Sequence, residues 1–270
     1  MTPKKVVGIS LILGAIGYGL YYAWNKTQEV GLLEKSTRSV SFETSYCLSG
    51  LLGMSISLPA IESAFYSTGE IEQIRAKISQ IRTQYGLLIS NIAMATNVAE
   101  SIIYSFIFIE SAGNQNVISG SNYGLMQVGT NSATDTIYSE WKKGRLGATE
   151  QAILRRWIGT RLDNIFAMKS LGMGLYIYSS DLINPELNIL IGTINLGQLM
   201  DESIKQDGAL RMDKVIVRYN MGYYAYNRGK SLPATVQDTV NMVNSTTSNY
   251  IVKLIGKNGV LEILEAEHCS

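Results

Sequence analysis

Histidine is almost absent from this chain. The single one, His268, stands two residues from the end of a 270-residue sequence. That removes Ser-His-Asp and Cys-His catalysis, and with them any histidine-rich metal site. Cysteine is nearly as scarce, with Cys47 and Cys269 far apart along the chain. They could pair in an oxidising compartment, but two cysteines do not make a disulfide framework, and free thiols fit as well. Charged residues make up 17% of the chain, fewer than the roughly 25% of an average soluble protein. The formal net charge of +1 gives no basis for binding nucleic acid or an acidic partner. Repeats and low-complexity stretches are lacking too, and the length suits one substantial domain with appendages.

What the chain does have is apolar residues, 46% of the total, and their arrangement is informative. Lys4 and Lys5 precede an uncharged run at 6–24, VVGISLILGAIGYGLYYAW. As a helix it would reach about 28 Å, close to the roughly 30 Å hydrocarbon core of a bilayer. Tyr18, Tyr21, Tyr22 and Trp24 crowd its far end, as an interfacial aromatic belt does. The run is long for a cleavable signal peptide and lacks a clear A-x-A site, so an uncleaved anchor is predicted. The two lysines would keep the N-terminus in the cytoplasm and send the bulk of the chain outward. Gly8, Ala15 and Gly19 offer a small-residue face to another helix.

Residues 25–45 are polar and mixed, with Lys26, Glu29, Glu34, Lys35 and Arg38, and read as a membrane-proximal linker. The apolar stretch at 46–61 is short and interrupted by Gly50, Gly53 and Pro59. It suits a buried or interfacial segment rather than a second span. Ile71, Ile74, Ile78, Ile81, Tyr85, Leu88 and Ile92 then recur by threes and fours, with Glu72, Arg75, Lys77 and Arg82 on other faces. This is an amphipathic helix. It could pair protomers as a short coiled coil, but so few heptads favour packing on its own domain. Residues 70–92 are therefore the candidate surface for a homo-oligomer or for an envelope or virion assembly partner.

Residues 98–111, VAESIIYSFIFIES, are apolar nearly all round and predict the buried central helix of a helical domain. Glu110 falls in its last turn, where the negative end of the helix dipole opposes a carboxylate. Apolar neighbours add a desolvation cost of the same sign. Both raise its pKa, as a general acid at neutral pH requires. The competing reading is a helix-end glutamate paired with an arginine such as Arg218. A polar loop follows Gly113 and closes on Gly124-Leu125-Met126-Gln127-Val128.

Three groups of residues carry a resemblance. Glu110-Ser111, Asn114, Ser119 and Gly124-Leu125-Met126-Gln127 form the first group. Asn184-Pro185-Glu186-Leu187-Asn188-Ile189 with Gly192 forms the second, and Arg218-Tyr219-Asn220-Met221-Gly222 the third. In this order they resemble the motifs of the soluble lytic transglycosylases, whose lysozyme-like domain cleaves peptidoglycan. Glu100-Ser101 is the same dipeptide as Glu110-Ser111 without the downstream companions. Residues 247–255, TSNYIVKLI, are loosely similar to the family's terminal helix. The resemblance covers roughly the C-terminal three-fifths of the chain and does not extend to residues 1–85. It implies that Glu110 is the catalytic acid and base, and that Ser119 and Gln127 bind or polarise the muramyl residue. Tyr219 would lie close to Glu110, and Met126 and Asn220 would shape the cleft. Two positions depart from the family. The segment from Ser119 to Gly124 is a residue shorter, and Arg218 replaces a small residue, from which it could pair with Glu110 or reach the substrate's peptide stem.

An inverting glycosidase needs a second carboxylate roughly 6.5–9.5 Å from the acid, and a retaining one needs it at about 5–5.5 Å. No acidic residue occurs from Ser111 to Thr134. Goose-type lysozymes, which look like this domain, carry an aspartate directly after the equivalent of Gly124–Val128; here Gly129 occupies that place. Asp135 is the nearest acid downstream, and Asp135, Glu140 or Asp201 could fold back toward Glu110. A lone acid suits a route without water, and the resemblance implies closure of a 1,6-anhydro ring.

Other signals are weaker. Gly229-Lys230-Ser231 lacks the earlier glycine of a phosphate loop, because Tyr224 stands there. Among Tyr219, Tyr223, Tyr224 and Tyr226, some should line a glycan groove and others fill the core. His268-Cys269 is too small a ligand set for a metal, and Asn258-Gly259 either turns a hairpin or ends a helix. The reading is a mainly α, lysozyme-like helical domain preceded by a single transmembrane helix. It comprises an anchor at 1–25, a linker and amphipathic helix at 26–85, the catalytic domain at 86–255 and a tail at 256–270. The expected activity is lytic cleavage of the MurNAc–GlcNAc bond with no cofactor and no metal. The alternatives are a hydrolytic lysozyme and an inactive membrane-tethered wall-binding protein. Expected partners are glycan strands and the membrane, with the domain on the periplasmic or outer side or associated with a virion, and without nucleic acid.

Overall fold

The structure is a computed structural model that describes residues 44–47, 55–58, 61, 64–222, 233 and 235–268. The expected span at 6–24, most of the linker, Tyr223, Tyr224, Tyr226, the Gly229-Lys230-Ser231 stretch and Cys269 lie outside these residues. Among the described residues no helix is long and apolar enough to cross a membrane. The stretch at 46–61 contributes to two antiparallel strands, β1 (Thr44–Cys47) and β2 (Ser55–Leu58), rather than to a helix.

The rest is mainly helical, with eleven helices among the described residues. Helix α1 (Thr68–Thr96) opens where the Ser67 backbone N–H and hydroxyl both donate to the Glu70 carboxylate, at 2.8 and 2.7 Å. This ties off the first turn and places a negative charge at the positive end of the helix. Its buried residues are Ile74, Ile78, Ile81, Tyr85, Ile89 and Ile92, the face that the threes and fours predict, with Ile71 and Leu88 half-buried at its margin. That face packs on α2 (Glu100–Ser111) and on α7 (Pro185–Asp207), so the helix belongs to its own domain. Positions 85 and 86, where the sequence suggested a domain boundary, lie inside α1, and the buried stripe runs through them.

Helix α2 is buried from Ser101 to Ile107. It stops at Ala112, in the left-handed region at φ 48°, followed by Gly113 at φ 78°. A Cβ on Gly113 would stand 2.6 Å from the Ile81 side chain, so both the turn and the approach of α1 require glycine. Three two-residue strands follow: β3 (Ile118–Ser119), β4 (Asn122–Tyr123) and β5 (Val128–Gly129), antiparallel in that order. The chain then runs through α3 (Thr130–Lys142), α4 (Ala148–Ile158), α5 (Arg161–Phe166) and α6 (Ser179–Leu182).

Helix α7 starts at the motif Asn184-Pro185. The Asn184 side-chain Oδ1 accepts from the Leu187 N–H at 3.1 Å, and Pro185 fills the first helical position, where its missing N–H costs nothing. Helices α8 (Met212–Met221), α9 (Val236–Met242), α10 (Ser245–Ile255) and α11 (Val260–His268) complete the domain. The expected tail from 256 onward is instead α11, which buries Val260, Leu261, Ile263 and Leu264 against α10, α2 and β1. Asn258-Gly259 is the turn between α10 and α11, with Asn258 at φ 58°.

Candidate active site

Glu110 is half-buried in the last turn of α2. Its Oε1 accepts a hydrogen bond from the Tyr250 hydroxyl at 2.6 Å, and Oε2 has no partner among the described residues. Burial pushes its pKa up to about 7, and the Tyr250 hydrogen bond offsets part of that rise. Among the described residues no charged group contributes to the shift. A glutamate paired with an arginine would move the other way.

The arginine considered for that pairing is engaged elsewhere. Arg218 is 4% exposed; its Nη2 donates to Gln206 Oε1 at 2.5 Å, and its Nη1 lies 3.9 Å from Glu202 Oε2, both on α7. Neither expectation for Arg218, the pairing with Glu110 or the contact with a peptide stem, agrees with this position. A side chain so deeply buried is out of reach of a substrate.

Tyr219 does belong to the site. Its hydroxyl donates to the Met126 carbonyl oxygen at 2.7 Å. Its ring meets Phe106 of α2 edge-on, 4.8 Å between centroids, and Tyr250 flanks the same phenylalanine at 6.1 Å. Burial first, and then the Glu110 charge, raise the pKa of both tyrosines well above the usual value, so both remain hydrogen-bond donors. The carboxyl is thus backed by two fixed phenols on α8 and α10.

The second motif clamps the first. Asn188 is fully buried. Its Oδ1 accepts from the Met126 N–H at 2.7 Å, and its Nδ2 donates to the carbonyls of Tyr123 and Leu182 at 2.7 and 2.8 Å. Gly124, at φ 75°, passes so close that a Cβ would stand 2.4 Å from both Asn188 Nδ2 and the Leu182 carbonyl. Gly192, one turn further along α7, leaves room for Met126, whose Sδ would lie 2.7 Å from an added Cβ. Gln127 takes a left-handed conformation, φ 48°, uncommon for a residue with a long side chain. Its Nε2 donates to the carbonyls of Val117 and Gly124 at 3.0 and 2.8 Å, while its Oε1 is buried without a partner. The amide therefore holds the turn, rather than presenting its donors outward.

Ser119 lies exposed on the β3–β4 hairpin, paired with Asn122. Asn220 is exposed at the end of α8, and its Oδ1 accepts from Thr247 Oγ1 at 2.9 Å. Of the six expected site residues, the structure joins Tyr219 to Met126 and sets Tyr219 within the field of Glu110. It leaves Ser119 and Asn220 at the surface and Gln127 inside the loop.

No known protein family's model matches this chain, and no curated protein does.

The three carboxylates that could have folded back are occupied. Asp135 Oδ1 accepts from the Gly172 N–H at 2.9 Å, and Glu140 and Asp201 share Arg145. At Gly129 a Cβ would meet Asn122 Oδ1 at 3.1 Å and Ser132 Oγ at 3.3 Å, so a side chain there would require these two polar groups to shift by a few tenths of an ångström. Residues 223–232, outside the described set, contain no Asp or Glu, whereas Glu29, Glu34, Glu43 and Glu62 lie outside it as well. Among the described residues no group of three or more His, Cys, Asp or Glu is placed to hold a metal ion.

Tyr250 is the site residue that the sequence did not single out. Its separation from Glu110 is 140 residues, and its one signal was the likeness of residues 247–255 to a terminal helix. Tyr250→Phe is expected to raise the Glu110 pKa, because the hydrogen bond that lowers it is lost while burial remains. The alkaline limb of a pH–rate profile should then move above its wild-type position near pH 7, with a rate loss of roughly tenfold from poorer positioning.

Proposed function

We propose that this protein is a peptidoglycan lytic transglycosylase of lysozyme-like fold that cleaves the MurNAc–GlcNAc β-1,4 bond with Glu110 as its one acid and base. The observation that carries the reading is a half-buried carboxyl that keeps its proton to about pH 7 with a tyrosine, and no charged group, as its partner. The juxtaposition of the three motifs around it supports the same reading, through Asn188 on Met126 and Met126 on Tyr219.

The chemistry follows from that carboxyl. With Oε1 held by Tyr250, the proton on Oε2 is free to reach the glycosidic oxygen. Cleavage of the bond from muramyl C1 leaves the departing sugar with a 4-hydroxyl that carries the Glu110 proton. The substrate's own acetamido oxygen closes on C1 and stabilises the positive charge there. Glu110, now a carboxylate, takes the proton of the C6 hydroxyl as that oxygen attacks C1, and the bond from C1 to the acetamido oxygen breaks to restore the neutral acetamido group. The product is a 1,6-anhydro end, Glu110 is protonated again, and no water is consumed. That no second carboxylate acts on Glu110 among the described residues supports this route over a hydrolytic one. The membrane attachment at 6–24, predicted from sequence, would confine the activity to wall close to a bilayer.

Purified peptidoglycan sacculi incubated with the full-length protein provide the test. Turbidity should fall at pH 5–6, and the rate should drop through a single ionisation near pH 7, because the acid must be protonated. Failure to clear sacculi at any pH would overturn the proposal.

A further inference from the structure

Residues 167–178, which connect α5 to α6, expose an unusual amount of apolar surface. Leu171 is 43% exposed, Met173 53%, Leu175 45% and Tyr178 46%. These are four large hydrophobic residues within eight positions. The loop is braced from behind. The Gly172 N–H donates to Asp135, the Tyr176 N–H donates to Thr134 Oγ1 at 3.3 Å, and Arg161 donates to the Tyr176 carbonyl at 3.0 Å. Arg161 also pairs with Asp181 through both its terminal nitrogens and lies 4.5 Å over the Tyr178 ring. A tip held out this firmly, rather than folded onto the core, is the form a binding surface takes.

The geometry points to the lipid–water interface of a bilayer as the surface on which this loop docks. Its contact groups are aliphatic, with few of the hydrogen-bonding side chains that a glycan would require. The segment 167–180 contains no acidic residue, and its one charge is the exposed Lys169. The carboxylates bordering it are each engaged by donors of the protein: Asp135 by Gly172, Asp181 by Arg161, and Glu186 by Arg156 and Trp157. Trp157 of α4, 41% exposed and hydrogen-bonded to Glu186, is a further exposed amphipathic ring. Aliphatic tips, aromatic rings with polar ends and a lysine are the composition of interfacial segments. The sequence supplies the bilayer independently. Only 19 residues separate the predicted span from β1, and a chain of that length reaches at most about 65 Å, so the loop is a second contact that would orient the domain on the membrane holding it.

Collisional quenching in vesicles tests this without reference to glycan cleavage. The full-length chain, with Cys47 and Cys269 changed to Ser, carries a fluorophore on Met173→Cys or, as a control, on Leu87→Cys of α1, which is 77% exposed. Vesicles of phosphatidylcholine and phosphatidylglycerol carry a nitroxide on the acyl chain. Quenching at 173 should exceed that at 87 several-fold, and Leu171→Ser/Leu175→Ser should remove the difference without changing the thermal transition. Equal quenching at both positions, none at 173, or persistence in the double variant would overturn the proposal. So would a change in the 173 signal that follows protein concentration without lipid, which would mark a second copy as the occupant.

Discussion

Glu110→Gln is expected to lower glycan cleavage by roughly 10²–10⁴-fold, and at pH 8 to leave the protein more stable than the wild type. Both effects come from the same burial. The carboxyl holds its proton to about pH 7 in the folded chain, against 4.5 for its ordinary value. Between those values the folded state binds more protons than the unfolded state, so stability falls as pH rises through this window and levels off above about 7. At about 1.4 kcal/mol for each pKa unit, the ionised carboxylate costs the fold roughly 3 kcal/mol at pH 8. Glutamine carries no charge there, and its carbonyl oxygen can still accept from Tyr250. Urea denaturation at two pH values checks this: the variant should gain about 3 kcal/mol at pH 8 and within about 0.5 kcal/mol of nothing at pH 4, where both side chains are neutral. Equal stability at pH 8 would mean that Glu110 is not desolvated, and its role as an acid near neutral pH would go with it.

The second large effect is structural. Asn188→Ala is expected to lower the unfolding free energy by roughly 3–4 kcal/mol, since it strands a buried N–H and two carbonyl groups. The groups left unpaired are the Met126 N–H and the carbonyls of Tyr123 and Leu182. The loss also reaches the site, because the Met126 carbonyl receives the Tyr219 hydroxyl. Asn188→Asp separates the contributions. It keeps an acceptor for the Met126 N–H but turns a carboxylate oxygen toward two carbonyls, so it should be as unstable as the alanine variant at pH 7 and recover in part at pH 4. A variant that unfolds like the wild type would show that the clamp does not hold the loop.

The stripe on α1 was legible because isoleucines at threes and fours admit one buried face, and the structure buries it. The desolvation of Glu110 was legible because the residues before it are apolar on every side of the helix. The strands β3, β4 and β5 were not, since two residues each give no alternation to read. The fate of Arg218 was not legible either. The motif sets it beside Tyr219, but the choice between Glu110 and the Gln206–Glu202 pair depends on how α7 and α8 cross. The same limit applied to Tyr250, a single tyrosine among 16, whose meeting with Glu110 depends on the packing of α10 over α2. Residues 260–268 were expected to be part of a tail, yet Val260, Leu261, Ile263 and Leu264 close the core over α2 and α10.

Among the described residues no second carboxylate acts on Glu110, and the origin of the product's oxygen tests the proposed chemistry most directly. Sacculi digested in ¹⁸O-labelled water by the full-length protein would be analysed by mass spectrometry of the released muropeptides. Cleavage by Glu110 alone should give 1,6-anhydromuramyl ends without label and no new reducing ends. Reducing muramyl ends carrying ¹⁸O would mean that water attacks, that another group activates it, and that the protein is a hydrolase.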